Sequence, residues 1–396
     1  MGNDSLIFSV FLIFSGAGVL ASFALFTRQP LIVAYIVLGV LLGPYGFELV
    51  KDAKTLEEIG HIGIMFLLFL LGLDLQPRNF LQLLSKTALV AILSALALGF
   101  TGFGIGCLFG FSLMESSIIG IATTFSSTII GIKLLPTTVL HHKHTGEILI
   151  SILLLQDILA IIVLIVLNSG NGTGSNNTSN LENPAQILQL LAALPALIIF
   201  AMGFVRWVLL PLLRRFDRFH EYIFLLAIGW CLSLAIMAEH FQLSLEIGAF
   251  IAGISLANSP IAQYIAINLK PLRDFFLILF FFTIGANFNL TLLSDIIIPA
   301  SLLAAAVLIL KPAVYSFLLR KTGEEKNLSW EVGFRLGQTS EFSLLIAYIA
   351  SSLHFIGDEA SMVIQATAIL TFLFSTYIIV FRYPSPIAVS DRLRRD

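Results

Sequence analysis

Asp157 stands near the middle of the run ISILLLQDILAIIVLIVL, with apolar residues on both sides. An ionisable group at the centre of a bilayer-spanning helix costs about 2.5–3.5 kcal/mol on insertion scales, so such a group is read as functional by default. Gln156 beside it offers an amide that can hydrogen-bond the carboxylate or turn its oxygen toward a cation. Lys311 is the second such group. In SLLAAAVLILKPAVYSFLL it lies about two turns from the end of its span, followed by Pro312, which weakens the local helical bonding. Its long stem could let it snorkel to the interface. Desolvated instead, it could give up a proton or pair with Asp157 when no cation is bound.

Two short runs of small polar residues also fall at membrane depth: TTFSST (Thr123–Thr128) and GQTSEFS (Gly337–Ser343). Runs of this kind mark interrupted helices whose freed backbone groups face an ion or a cavity. Glu341 in the second run is expected on a cavity wall or in a charge balance where helix ends meet. Arg335 and Glu331, four residues apart, are expected to pair along one helix face. Glu246, at the start of EIGAFIAG, fits a structural role as well as a functional one. Asp74 reads as interfacial. The cluster HHKH (His141–His144) resembles a metal site, yet only His141 and His144 share a helical face. It reads as a solvated, pH-responsive loop.

These groups are positioned by elements made for lipid. Of the 396 residues, 58% are hydrophobic and 12% charged, against about 25% charged in an ordinary soluble domain. The apolar residues come in blocks of about 20, the helical length that crosses a hydrocarbon layer. Segments such as GIMFLLFLLGL (Gly63–Leu73) are apolar on all sides, which excludes a membrane barrel with its alternating pattern. We expect an all-α integral membrane protein of thirteen spans, roughly 6–27, 30–48, 57–75, 84–110, 114–133, 146–168, 185–205, 221–239, 243–257, 272–288, 292–319, 329–351 and 360–382. Residues 1–390 would form the membrane domain and 391–396 a short basic tail, with no cleavable leader.

Basic residues test the topology, because they collect on the cytoplasmic side. With the N-terminus outside, the inner loops and adjoining span ends hold Arg28, Arg78, Lys86, Lys133, Lys143, Arg206, Arg214, Arg215, Arg218, Lys270, Arg273, Arg320, Lys321, Lys326, Arg382, Arg392, Arg394 and Arg395, while the outer loops hold only Lys51 and Lys54. This places the C-terminus in the cytoplasm, in a bacterial-type inner or plasma membrane. The polar stretch Asn168–Pro184 reads as a flexible outer loop, with acceptor sequons at Asn171, Asn176 and Asn177. Six spans precede it and six follow the seventh, an arrangement that suits an inverted repeat.

Several classes are excluded. A net charge of −2 gives no support to nucleic-acid binding. No phosphate-binding loop, HExxH or nucleophile elbow occurs, and the spans rule out a soluble enzyme. Cys107 and Cys231 both lie in apolar blocks and read as inert buried thiols. The glycines of GVLLGP (Gly39–Pro44) are spaced for close helix contact, a signal for a dimer face.

Four segments in order, LLLQDILAIIVLI, LEIGAFIAGISLANSP, PLRDFFLILFFFTIGANFNL and GQTSEFSLLI, resemble the cation/proton antiporter-2 family, most closely its Kef- and KEA-type potassium/proton antiporters. The likeness runs over essentially the whole chain. It implies a thirteen-helix homodimer, each chain having a dimerisation domain and a core domain that moves as an elevator. It implies two crossing interrupted helices, at Ser126–Thr128 and Gln338–Glu341. Ion and proton binding would fall to Asp157, Gln156, Ser126, Ser127 and Thr128, supported by Lys311, Gln338 and Glu341. Where electrogenic sodium relatives carry a second aspartate, Gln156 stands here. Kef-type chains usually continue into a nucleotide-binding regulatory domain. This sequence stops at Asp396, so we expect either a separate or truncated regulatory domain or a different mode of regulation.

The chemistry agrees. A lone buried carboxylate must be neutralised to cross, by a proton or by a monovalent cation but not by both. One Asp beside a neutral Gln then predicts electroneutral exchange of one cation for one proton. K⁺ is favoured over Na⁺, no cofactor or resident metal is called for, and the lipid bilayer is the environment. A Na⁺/H⁺ exchanger, a cation channel and a non-transporting sensor on the same fold remain alternatives.

Overall fold

Apolar blocks of this length satisfy their backbone groups internally by becoming helices, because lipid supplies no partners. The structure, a computed structural model, describes residues 6–50, 53–74, 77–133, 144–169, 195–216, 218–241, 243, 245–257, 259 and 261–385, and its regular elements are helices. In chain order they are α1 (Leu6–Phe26), α2 (Leu31–Leu42), α3 (Ala53–Asp74), α4 (Pro77–Leu108), α5 (Leu113–Thr124), α6 (Thr128–Lys133) and α7 (His144–Ser169). There follow α8 (Pro195–Arg215), which contains a π-helical turn at Val205–Leu209, α9 (His220–His240), α10 (Leu245–Ala257) and α11 (Ala262–Ala286). The last are α12 (Leu293–Lys321), α13 (Lys326–Arg335), α14 (Glu341–Ser352) and α15 (Asp358–Arg382).

Among the described residues, seven helices are long and apolar enough to cross a membrane: α1, α4, α7, α8, α9, α12 and α15. Shorter apolar helices lie at Leu31–Leu42, Ile247–Ala257 and Glu341–Ser352. The protein is therefore a multi-pass integral membrane protein. The outer loop with its sequons, His141–Lys143 and the tail at 391–396 lie outside the described residues, as do the side chains of Asp74 and Glu246.

The chain forms two compact units. The first comprises residues 1–53, 82–160 and 281–396. Within it α12 packs against α13 and α15, while α15 also packs against α14, α5 and α2. Each of the two polar runs interrupts a helix. α5 ends at Thr124 and α6 begins at Thr128, and α13 ends at Arg335 and α14 begins at Glu341. Serine and threonine favour such breaks because their hydroxyls offer the backbone alternative partners. Ser127 Oγ accepts from Ile130 N at 3.1 Å, and Ser340 and Ser343 form a capping box at the start of α14.

The second unit comprises residues 54–81 and 161–280. Its core is a single apolar cluster drawn from α3, α8, α9, α10 and α11. α3 and α10 cross glycine on glycine: a Cβ at Gly253 would overlap the Phe69 carbonyl oxygen, and one at Gly72 that of Phe250. Trp230 Nε1 donates to Ser255 Oγ and Ala252 O, tying α9 to α10. Cys231 is buried here. Cys107, expected to be buried as well, is exposed on α4, near exposed Phe100 and Leu108. Lipid is as apolar as a core, so an apolar residue gains nothing by turning inward.

The close contact foreseen at Gly39 is made inside the chain rather than between chains. A Cβ at Gly39 would overlap the Phe282 carbonyl oxygen, and one at Gly285 that of Ile36, so α2 and the end of α11 touch backbone to backbone. Overpacking a contact that cannot yield costs about 1–3 kcal/mol. Gly39→Val is therefore expected to lower the melting temperature in detergent by several degrees, whereas Gly18→Val, where nothing lies within 4 Å of the new Cβ, should leave it unchanged.

Candidate ion site at the crossing of two interrupted helices

Each break frees backbone groups, and a buried N–H or C=O must find a partner. At the first break, Gln156 Nε2 donates to Thr124 O at 3.1 Å and its Oε1 accepts from Ser126 N at 3.1 Å. At the second, Thr339 N donates to Thr371 Oγ1 at 3.2 Å, and Gln338 Nε2 donates to Arg335 O at 2.9 Å. The breaks also satisfy one another. Ser126 Oγ donates to Leu336 O at 2.9 Å, and Ser343 Oγ to Ala122 O at 2.5 Å. Lys311 closes the crossing: its Nζ donates to Phe125 O at 2.5 Å and to Gln338 O at 2.8 Å, one carbonyl from each break.

Asp157 lies on α7 beside this crossing. Thr128 Oγ1, on the first residue of α6, stands 3.3 Å from both carboxylate oxygens. Asp157 is 3% exposed and Glu341, the first residue of α14, 6%. Among the described residues no basic group bonds Asp157. Lys311 is fully buried, so it does not snorkel, and it spends its donors on carbonyls rather than on Asp157. The expected Lys311–Asp157 pair is absent here because the breaks offer the ammonium two desolvated carbonyls.

All eight residues singled out in the sequence therefore meet at one crossing. Ser126, Ser127, Gln156, Asp157, Lys311, Gln338 and Glu341 are buried and Thr128 is partly so. Their tasks differ, however. The Gln156 amide holds the first break open at both ends, and its carbonyl oxygen is already occupied. Gln338 Oε1 accepts from Ser375 Oγ at 2.8 Å, so it too is bonded at both ends of its amide. Arg335 pairs with Glu331 at 2.9 Å as expected, and its Nη2 also donates to Pro384 O. His144 reaches Glu147 at 3.4 Å and Glu324 at 2.9 Å, tying the start of α7 to the turn after α12.

Sequence reasoning missed the buried stripe on α15. Thr367, Thr371 and Ser375, spaced by four, bond Ala300 O, the Thr339 backbone and Gln338 respectively. Their spacing places them on one helix face, which was a readable signal. It also missed Tyr315, which receives a 2.5 Å hydrogen bond from Gln156 Nε2.

The sodium/hydrogen exchanger transmembrane family profile matches residues 10–382. The chain belongs to this family. Relatives of this chain include K(+) efflux antiporter 4 of Arabidopsis thaliana, 28% identical over 87% of this chain and 58% of the relative. K(+) efflux antiporter 5 of the same plant is 27% identical over 92% and 64%. A glutathione-regulated potassium-efflux protein, KefC of an Enterobacter species, is 26% identical over 80% and 50%. The chain thus spans between half and two thirds of the length of these curated relatives, and the likeness to Kef- and KEA-type antiporters read from the motifs agrees with them. The fold matches that of the sodium proton antiporter MjNhaP1 from Methanocaldococcus jannaschii, with a TM-score of 0.65 over 94% of this chain and 95% of that chain, at 17% identity. These relatives are named as antiporters or potassium-efflux proteins.

Removing a charged donor from two buried carbonyls leaves each unpaired, at about 1–3 kcal/mol apiece. Lys311→Ala is therefore expected to lower the melting temperature more than an alanine at exposed Leu310, the residue before it. Should the variant melt like wild type, the bridge between the breaks carries no stability.

Proposed function

We propose that this protein exchanges K⁺ for H⁺ across its membrane, with Asp157 as the group that carries either ion. The observation that supports this most is the setting of Asp157: a carboxylate buried in the membrane domain that, among the described residues, is bonded only by the Thr128 hydroxyl and by no basic group. A carboxylate so placed is stable only when a cation or a proton neutralises it. Competition for one site couples the two fluxes. Ser126, Ser127, Thr128, Gln156, Lys311, Gln338 and Glu341 form the frame that holds this site.

Lys311 and Gln156 bring no second titrating aspartate, so exchange is one for one and electroneutral. Glu341 begins α14, where the positive end of the helix offsets its charge. K⁺ is preferred to Na⁺ on the likeness to potassium efflux antiporters. Transport proceeds by an elevator motion within a homodimer, with the N-terminus outside and the C-terminus in the cytoplasm.

Proteoliposomes holding a pH-sensitive dye test this directly. Added K⁺ should dissipate a pH gradient, choline should not, and Asp157→Asn should fall to the rate of empty vesicles. Exchange should draw no current with the membrane potential clamped. A K⁺ current without proton movement would make the protein a channel instead. Competition also sets the pH dependence. Below the pH at which the site protonates, the apparent KM for K⁺ should rise about tenfold per pH unit. A KM independent of pH would contradict a shared site.

A further inference from the structure

Tyr315 is fully buried on α12, one turn beyond Lys311 and on the same face. Its hydroxyl receives the 2.5 Å hydrogen bond from Gln156 Nε2. An amide nitrogen only donates, so Tyr315 is the acceptor.

This fixes the amide in three places. Thr124 O and Ser126 N–H set which end faces which, and Tyr315 holds the plane in which the amide lies. Gln156 is the residue before Asp157. Ser126, two residues before Thr128, donates its N–H to Gln156 Oε1. The spacing between the first break and the Asp157 carboxylate is therefore set through the Tyr315 hydroxyl. Alkali cations differ in radius by tenths of an ångström, and selection among them depends on cavity size and on the number and field of the ligating oxygens. A shift of that size at Thr128 alters which cation fits.

We propose that Tyr315 is a specificity-determining positioning residue: acting through Gln156 and Ser126, it fixes the distance of the Phe125–Ser127 break from Asp157 and so the size of cation accepted. This rests on the cation/proton exchange proposed above. Tyr315→Phe keeps the ring and removes only the hydroxyl. Proton flux in proteoliposomes, titrated with K⁺, Na⁺ and Li⁺, should show the apparent affinity for the preferred cation weakened about fivefold, the effect of one lost hydrogen bond. The affinity ratios among the three cations should narrow by a similar factor, and the maximal rate at saturating cation should be retained.

A merely structural brace would lower the melting temperature and leave those ratios at their wild-type values. That result overturns the inference. Should Tyr315→Phe not fold, Tyr315→His, which removes the phenol hydroxyl and keeps a polar ring, is read in the same way: a narrowed ratio supports the inference and an unchanged ratio overturns it. Wild type fails separately. If wild type moves no protons with any cation, the exchange reading falls and this inference with it. If wild type exchanges and the variant keeps its ratios, only the role of Tyr315 falls.

Discussion

A helix interrupted inside a hydrocarbon layer exposes N–H and C=O groups that no water reaches, and each must be bonded from within the protein. In this chain two such interruptions, Phe125–Ser127 and Leu336–Ser340, bond one another and recruit side chains from α7, α12 and α15 for the rest. The polar residues buried here follow from that requirement. Lys311 serves one carbonyl in each break, Gln156 serves both ends of the first break, and Gln338 is bonded at both ends of its amide. With these groups committed to the frame, Asp157 has no cationic partner among the described residues.

The same constraint separates frame from site. A side chain whose donors and acceptors are all spent on the breaks and their side-chain supports cannot also follow an ion through a cycle without releasing the break it holds. Gln156 and Gln338 belong to the frame on this ground. Asp157 and Thr128, joined by 3.3 Å contacts, are by contrast not committed to the backbone of either break. Close helix contacts at Gly39 and Gly285 keep α2 and the end of α11 at fixed separation in the same unit.

Much of this was legible in the sequence because membrane burial makes rare residues conspicuous. Asp157 and Lys311 stood out against apolar runs, and TTFSST and GQTSEFS announced breaks by composition. What stayed hidden depends on which faces meet. Nothing in QD told that the Gln156 amide turns to the backbone of another helix rather than toward the ion. Lys311 could be seen as buried, but its two carbonyl partners lie 186 and 27 residues away in sequence. Tyr315 looked like an ordinary aromatic of an apolar span. The stripe Thr367, Thr371 and Ser375 was readable by spacing and passed over, because hydroxyls are cheap in membrane helices. GVLLGP announced a close contact but not with which helix.

The central claim is that one buried carboxylate holds either a cation or a proton. Its most direct test is proton release on cation binding to the purified protein in weakly buffered detergent solution. With K⁺ added at a pH where the site is protonated, about one proton should appear per cation bound, and Asp157→Asn should release none. Cation binding that releases no proton from well-folded wild type would contradict the account, because the two ions would then not share a site.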